Sequence, residues 1–186
     1  MTEPFELELR CGLPDALRTL VEEYPRDIWE THNHFDGLVR FWLERHAMFR
    51  KLLKMLKEDT NSLDEGQLAI TEYQPRLQRF GSIFVNELHT HHHIEDHQYF
   101  PKLIEMERSL SRGFEILDKD HNALDGHLSA FAKDANQLLQ ARPLQGSEAI
   151  DRMQNRTEDL QNFLNRHLTD EEELVVPIIL KHGFGM

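Results

Sequence analysis

The residues of this sequence best suited to chemistry are histidines and glutamates set four apart, and they occur so twice. His91-His-His-Ile-Glu95-Asp-His-Gln-Tyr-Phe-Pro101 and His167-Leu-Thr-Asp-Glu171-Glu-Glu-Leu-Val-Val-Pro177 share the pattern H-x3-E-x5-P, each followed by apolar residues. On a helix, positions i and i+4 lie on one face, so the imidazole can bind one cation while the carboxylate reaches toward a second. Two further histidines complete a symmetric arrangement: His46 precedes His91 by 45 residues, and His121 precedes His167 by 46. Twelve His stand beside a single Cys, Cys11. That count excludes a disulfide framework, a thiolate-bound zinc module and a cysteine-ligated iron–sulfur cluster, so metal chemistry here must use nitrogen and oxygen.

The elements that must position these groups follow from apolar spacing. From Asp27 onward four long segments carry apolar residues at steps of three and four, as amphipathic helices do. Turn residues gather at Asp59–Gly66, Ser111–Gly113 and Arg142–Ser147. Strand patterns are almost absent, and Pro177 interrupts the one β-branched cluster. The expected fold is all-α, an up-down-up-down four-helix bundle over residues 27–186. A short helical lead-in over 1–26, with Pro14 in its first turn and Pro25 closing it, precedes the bundle.

The inward stripes then decide the chemistry. The first runs from Ile28 to Leu56 and holds His32 and His46, with Trp42 and Phe49 one turn to either side of His46; these two rings are core, and would line a pocket beside any ion. The second carries His91 and Glu95, the third His121, the fourth His167 and Glu171, with Arg156 nearer its start. A lone His on an apolar face is usually a hydrogen-bonded core residue. Two buried Glu beside four such His, with no Lys in the stripes, call instead for a cation cluster that compensates the carboxylates. Each proline should bend or end its helix about one and a half turns past its Glu. The loud run His89–His97 contributes only His91, because helical geometry turns His89, His92, His93 and His97 sideways or outward. Likewise Asp170–Glu173 reads as a mostly solvated face on which only Glu171 points inward, and which would help draw in a cation.

On these residues the chain resembles the hemerythrin-like, or HHE cation-binding, family, from about Asp27 to His182. The resemblance implies a non-haem di-iron centre, oxo- or hydroxo-bridged and spanned by two carboxylates. Its ligands would be His46, His91, Glu95, His121, His167 and Glu171. Oxygen carriers of the family have a second His one turn beyond the third-helix His; here that position is Asp125, which would then serve as an extra ligand or a partner of one. The carriers also end in His-x4-Asp where this chain has His-x3-Glu, and both differences place it nearer the bacterial members and the iron-cluster repair relatives than the carriers.

Two octahedral irons need about twelve ligand positions, and this set with one bridging oxygen fills about ten. Open positions permit O2 or NO to bind. The function expected is a module that binds or senses O2, NO or iron. The alternative is a di-iron redox enzyme or iron donor that oxidises Fe2+, consumes peroxide or NO, or repairs iron–sulfur clusters. A zinc site is the other cofactor option, although tetrahedral zinc uses about four ligands. The net charge of -12 argues against nucleic acid and anionic membranes as partners. No apolar run approaches a transmembrane length and the first residues lack a basic, apolar leader, so a cytoplasmic location is expected.

Overall fold

Asp36 opens the first long helix: its Oδ1 accepts from the backbone N–H of Leu38 at 2.9 Å and of Val39 at 3.2 Å, satisfying two of the donors a helix start leaves bare. The computed structural model describes residues 6–7, 9–140 and 147–184. Four long helical tracts dominate these. They are α2 (Gly37–Asp64), α3 (Ile70–Ile94) continued by α4 (Phe100–Met106), α5 (Ser111–Gln140) and α6 (Ser147–His182), preceded by the short α1 (Thr19–Glu23). No strand occurs among the described residues, and no helix is long and apolar enough to cross a membrane. The fold class is the expected all-α bundle.

Several boundaries differ from the sequence expectation, each for a local reason. Residues Arg26–Thr31 form a 3-10 turn rather than the start of α2, because the Asp36 cap sets the helix start ten residues later. The α2 helix runs on through the expected turn at Asp59 to Asp64, and the chain reverses at Gly66, whose φ of 70° suits glycine. Asp59 and Thr60 are held in helix by partners on α3: Arg76 donates to Asp59 at 2.6 and 2.7 Å, and the Thr60 and Tyr73 hydroxyls lie 2.9 Å apart. Ser111–Gly113 is not a turn either. The turn falls at Arg108–Leu110, and Gly113 sits in the first turn of α5, where a Cβ would lie 2.7 Å from Leu174 Cδ2. The third expected turn, Arg142–Ser147, lies almost wholly outside the described residues.

The two prolines are accommodated differently. Between α3 and α4 the helix widens into one π-turn, Glu95–Tyr99, in which the Phe100 N–H bonds back to Glu95 O; Pro101 follows in the first turn of α4. Pro177 instead lies inside α6, which continues as α-helix to His182.

The chain divides into two compact units. One comprises Met1–Ala47, His92–Asn122 and Asn165–Met186. Its core includes Trp29, Val39, Leu103, Phe114, Leu117 and Ile178, and Leu13, Leu17 and Leu20 of the N-terminal segment pack into it. The other comprises Met48–His91 and Ala123–Leu164. There Phe84 and Phe131 meet edge to face at 6.0 Å, and Arg156 is explained by Asp134, which accepts from its Nε at 3.0 Å.

Candidate metal centre

Two groups of ligand-type side chains converge in the interior. His46, His91, Glu95 and Glu171 each offer one atom within 4.8 Å of the others, and His92, His121 and His167 do the same. Four helical tracts supply them: α2 gives His46, α3 gives His91 and His92, the π-turn gives Glu95, α5 gives His121, and α6 gives His167 and Glu171. The glutamates link the groups. Glu171 Oε2 lies 3.4 Å from His46 Nε2 and 3.6 Å from His167 Nε2, and Glu95 Oε2 lies 3.8 Å from His121 Nε2.

The far side of three rings is held by a carboxylate. His46 Nδ1 faces Glu172 Oε1 at 3.0 Å, His121 Nδ1 faces Asp96 Oδ1 at 2.7 Å, and His167 Nδ1 faces Asp120 Oδ2 at 3.2 Å. A carboxylate at Nδ1 fixes the proton there and leaves Nε2 bare as a lone-pair donor aimed inward. Ring packing restrains the imidazoles further: His92 stacks on His121 at 4.0 Å, Phe100 also stacks on His121 at 5.5 Å, Phe49 packs on His91 at 5.1 Å, and Trp42 meets His46 edge-on at 6.2 Å.

Burial tunes the charges. Desolvation pushes the Glu95 carboxyl up to about 8, against the opposing pull of hydrogen bonding from Glu171 and the Trp42 indole. Glu171 is driven well above the ordinary carboxylate range, first by burial and next by its neighbour Glu95. Burial lowers His167 to about 3 although Asp120 pulls the other way, so its ring is neutral at neutral pH. Burial and mutual proximity thus disfavour the ionised form of both carboxyls, and a cation between the groups would hold them ionised. The donor set fits one. His121 Nε2 and His167 Nε2 are buried nitrogens without a hydrogen-bonding partner, a costly state in a closed interior unless something binds them.

All six expected ligands, His46, His91, Glu95, His121, His167 and Glu171, fall within these groups. Asp125 does not. It stands on the exposed face of α5 with Oδ1 3.4 Å from His89 Nδ1, and Asp96, Asp120 and Glu172 occupy the carboxylate role beside the rings instead. His92 was expected outside and is buried at 3% exposure among the three-His group. The signal lay in the stripe itself: from Leu88 the step of four reaches His92 as readily as the step of three reaches His91, and Glu95 is one turn from either. The run Asp170–Glu173 also differs from a solvated face, since Asp170, Glu171 and Glu172 are all buried. The reason is the N-terminal segment, from which Arg10 pairs with Asp170, Arg26 with Glu172 and Arg18 with Glu173.

An all-helical bundle with histidines and glutamates gathered inside it defines a class, the metal-binding helical bundles. Within that class the model of the hemerythrin HHE cation binding domain matches residues 37–179, and the chain belongs to this family. No curated protein and no solved structure matches the chain.

Proposed function

We propose that the protein holds two non-haem iron ions, one at His46 and His91, the other at His92, His121 and His167, with Glu95 and Glu171 shared between them, and that it binds or senses O2 or NO. The observation that carries this is the single oxygen of Glu171 set almost midway between imidazoles of the two groups, at 3.4 and 3.6 Å. Five imidazoles and two shared carboxylates fill about nine of the twelve positions of two octahedral ions, leaving room for about one bridging and one terminal small ligand. An ion held by His46 and His91 would have fewer imidazoles than its neighbour and so room for a further ligand, beside the rings of Trp42 and Phe49 that pack on those two histidines. Room for one such ligand would suit binding of one diatomic. Seven nitrogen and oxygen donors exceed what tetrahedral zinc uses.

When bound, iron supplies reversible one-electron chemistry and affinity for diatomic gases, which none of these side chains has. The chain does the rest. Glu95 and Glu171 lower the charge of the centre, Asp96, Asp120 and Glu172 hold three rings in the ligating tautomer, and the aromatic rings keep bulk water away.

Metal analysis of purified protein should find about two irons per chain. His92→Ala should lower that content as much as His167→Ala, and Asp125→Ala should leave it unchanged. A protein without iron, or a His91→Ala, His167→Ala double variant with undiminished metal, would sink the assignment. Adding O2 or NO to the reduced protein should then give a charge-transfer band that disappears on gas removal; decay to a stable oxidised form would favour redox turnover instead.

A further inference from the structure

Arg10 lies outside the family-matched residues 37–179, yet its side chain is 3% exposed and enters the bundle interior. Its guanidinium forks across Asp120, with Nη1 donating to Oδ1 at 2.7 Å and Nη2 to Oδ2, while Nε donates to Asp170 Oδ2 at 2.9 Å. The Leu13 N–H adds a bond to Asp170 Oδ1 at 3.3 Å. Asp120 Oδ2, in turn, faces His167 Nδ1. A continuous path therefore runs from the N-terminal segment through Arg10 and Asp120 to an imidazole of the three-His group.

Burying one guanidinium and two carboxylates costs solvation that their mutual attraction only partly returns, so stability alone is a weak reason for this arrangement. Its geometry supplies a better one. A bidentate fork holds a carboxylate plane in one orientation, which a lysine cannot do. With Asp120 fixed, His167 keeps its proton on Nδ1 and its lone pair on Nε2.

We propose that Arg10 is a positioning residue for the metal centre, acting through Asp120 on His167, and that docking of the N-terminal segment and binding of the ion at the three-His group reinforce each other. The inference rests on the metal-site reading above. Coupling of this kind is reciprocal by thermodynamic necessity: whatever docking adds to ion affinity, the ion adds to docking.

The test is anaerobic titration of metal-free protein with Fe2+ against a competing chelator, with hydrogen exchange of residues 9–31 followed in parallel. In the wild type, Fe2+ should raise protection of residues 9–31. Arg10→Met should weaken one of the two Fe2+ equivalents about 10- to 100-fold, the range for residues that orient a ligand, and leave the other near its wild-type value. Arg10→Lys, which keeps the charge without the fork, should weaken the same equivalent. Equal weakening of both ions, or wild-type affinity in both variants, would overturn the positioning role. Should the variants not fold, unchanged protection in the wild type on adding Fe2+ overturns it by itself. A wild type that binds no Fe2+ removes the metal-site reading and this inference together; a wild type that binds two ions while the variants match it removes this inference alone.

Discussion

At the residue scale, the centre depends on carboxyls kept in unlike environments. Glu95 and Glu171 are enclosed, with their ionised forms disfavoured, whereas Asp120 stays charged: burial opposes it, but Arg10 and His167 outweigh that and hold it below the ordinary carboxylate range. The enclosed pair disfavours its own charge, and Asp120 has its counter-charge in Arg10. This gives the chelated protein a readable pH dependence. Glu95 has an ordinary value of 4.5 and is raised to about 8 in the fold, so between these values the folded, metal-free protein holds a proton that the unfolded chain has released. Stability from this group therefore falls as pH rises through the window. His167, lowered from 6.5 to about 3, works in the opposite sense below 6.5, where the unfolded chain binds the extra proton. The net fall is thus clearest between pH 6.5 and 8. Melting of chelator-treated protein should show Tm decreasing across that interval, and Glu95→Gln, which removes the proton, should flatten the decline. A Tm that climbs from pH 6.5 to 8 in the wild type would contradict it.

At the scale of elements, the long helices were legible because their apolar steps of three and four extend over many turns. The details that were not legible come from contacts made far along the chain. The start of α2 at Gly37 follows from a cap by Asp36, one side chain among several polar ones in that stretch. Gly113 read as a turn residue, but its role is to admit Leu174, which lies 61 positions away and is wholly buried. The consequence is measurable. Gly113→Ala gains about 1 kcal/mol of helix propensity, but the new methyl needs space that the Leu174 side chain fills, and overpacking of this kind costs about 1–3 kcal/mol. The variant should melt lower by about 2–4 °C for each net kcal/mol lost. A Tm equal to or above wild type would show that Leu174 moves aside freely.

At the scale of the whole molecule, sequence carried most of the candidate centre, because helical period fixes which side chains share an arc. It left out His92, since adjacent histidines straddle the stripe and spacing alone does not rank them. It also left out the partners at Nδ1: Asp96, Asp120 and Glu172 sit beside the expected ligands in the chain, but their role depends on rings that come from other helices. The arginines that bury Asp170 and Glu172 lie roughly 150 positions upstream, beyond any local pattern. The centre ties four helical tracts together, so its loss should be felt globally. A ligand held at about a thousand times its Kd stabilises by about 4 kcal/mol, which at this chain length corresponds to roughly 10 °C. Chelation should lower Tm by about that amount, and Fe2+ should restore it; equal melting of stripped and loaded protein would count against an enclosed cluster.

The two H-x3-E-x5-P strings are alike in letters but not in backbone, because the first passes through a π-turn and the second through α-helix. A π-turn carries one residue more than the α-helix would need over the same span. Deleting a residue between Asp96 and Tyr99 would therefore restore a regular helix while leaving the residues beyond it, Phe100 among them, close to their present facing. The same loss after Glu171 would leave no such surplus to absorb and would bring misalignment of Pro177 and the residues that follow. Two segments that match when aligned by sequence thus differ in the lengths they tolerate: the first has a residue to spare, and the second has none.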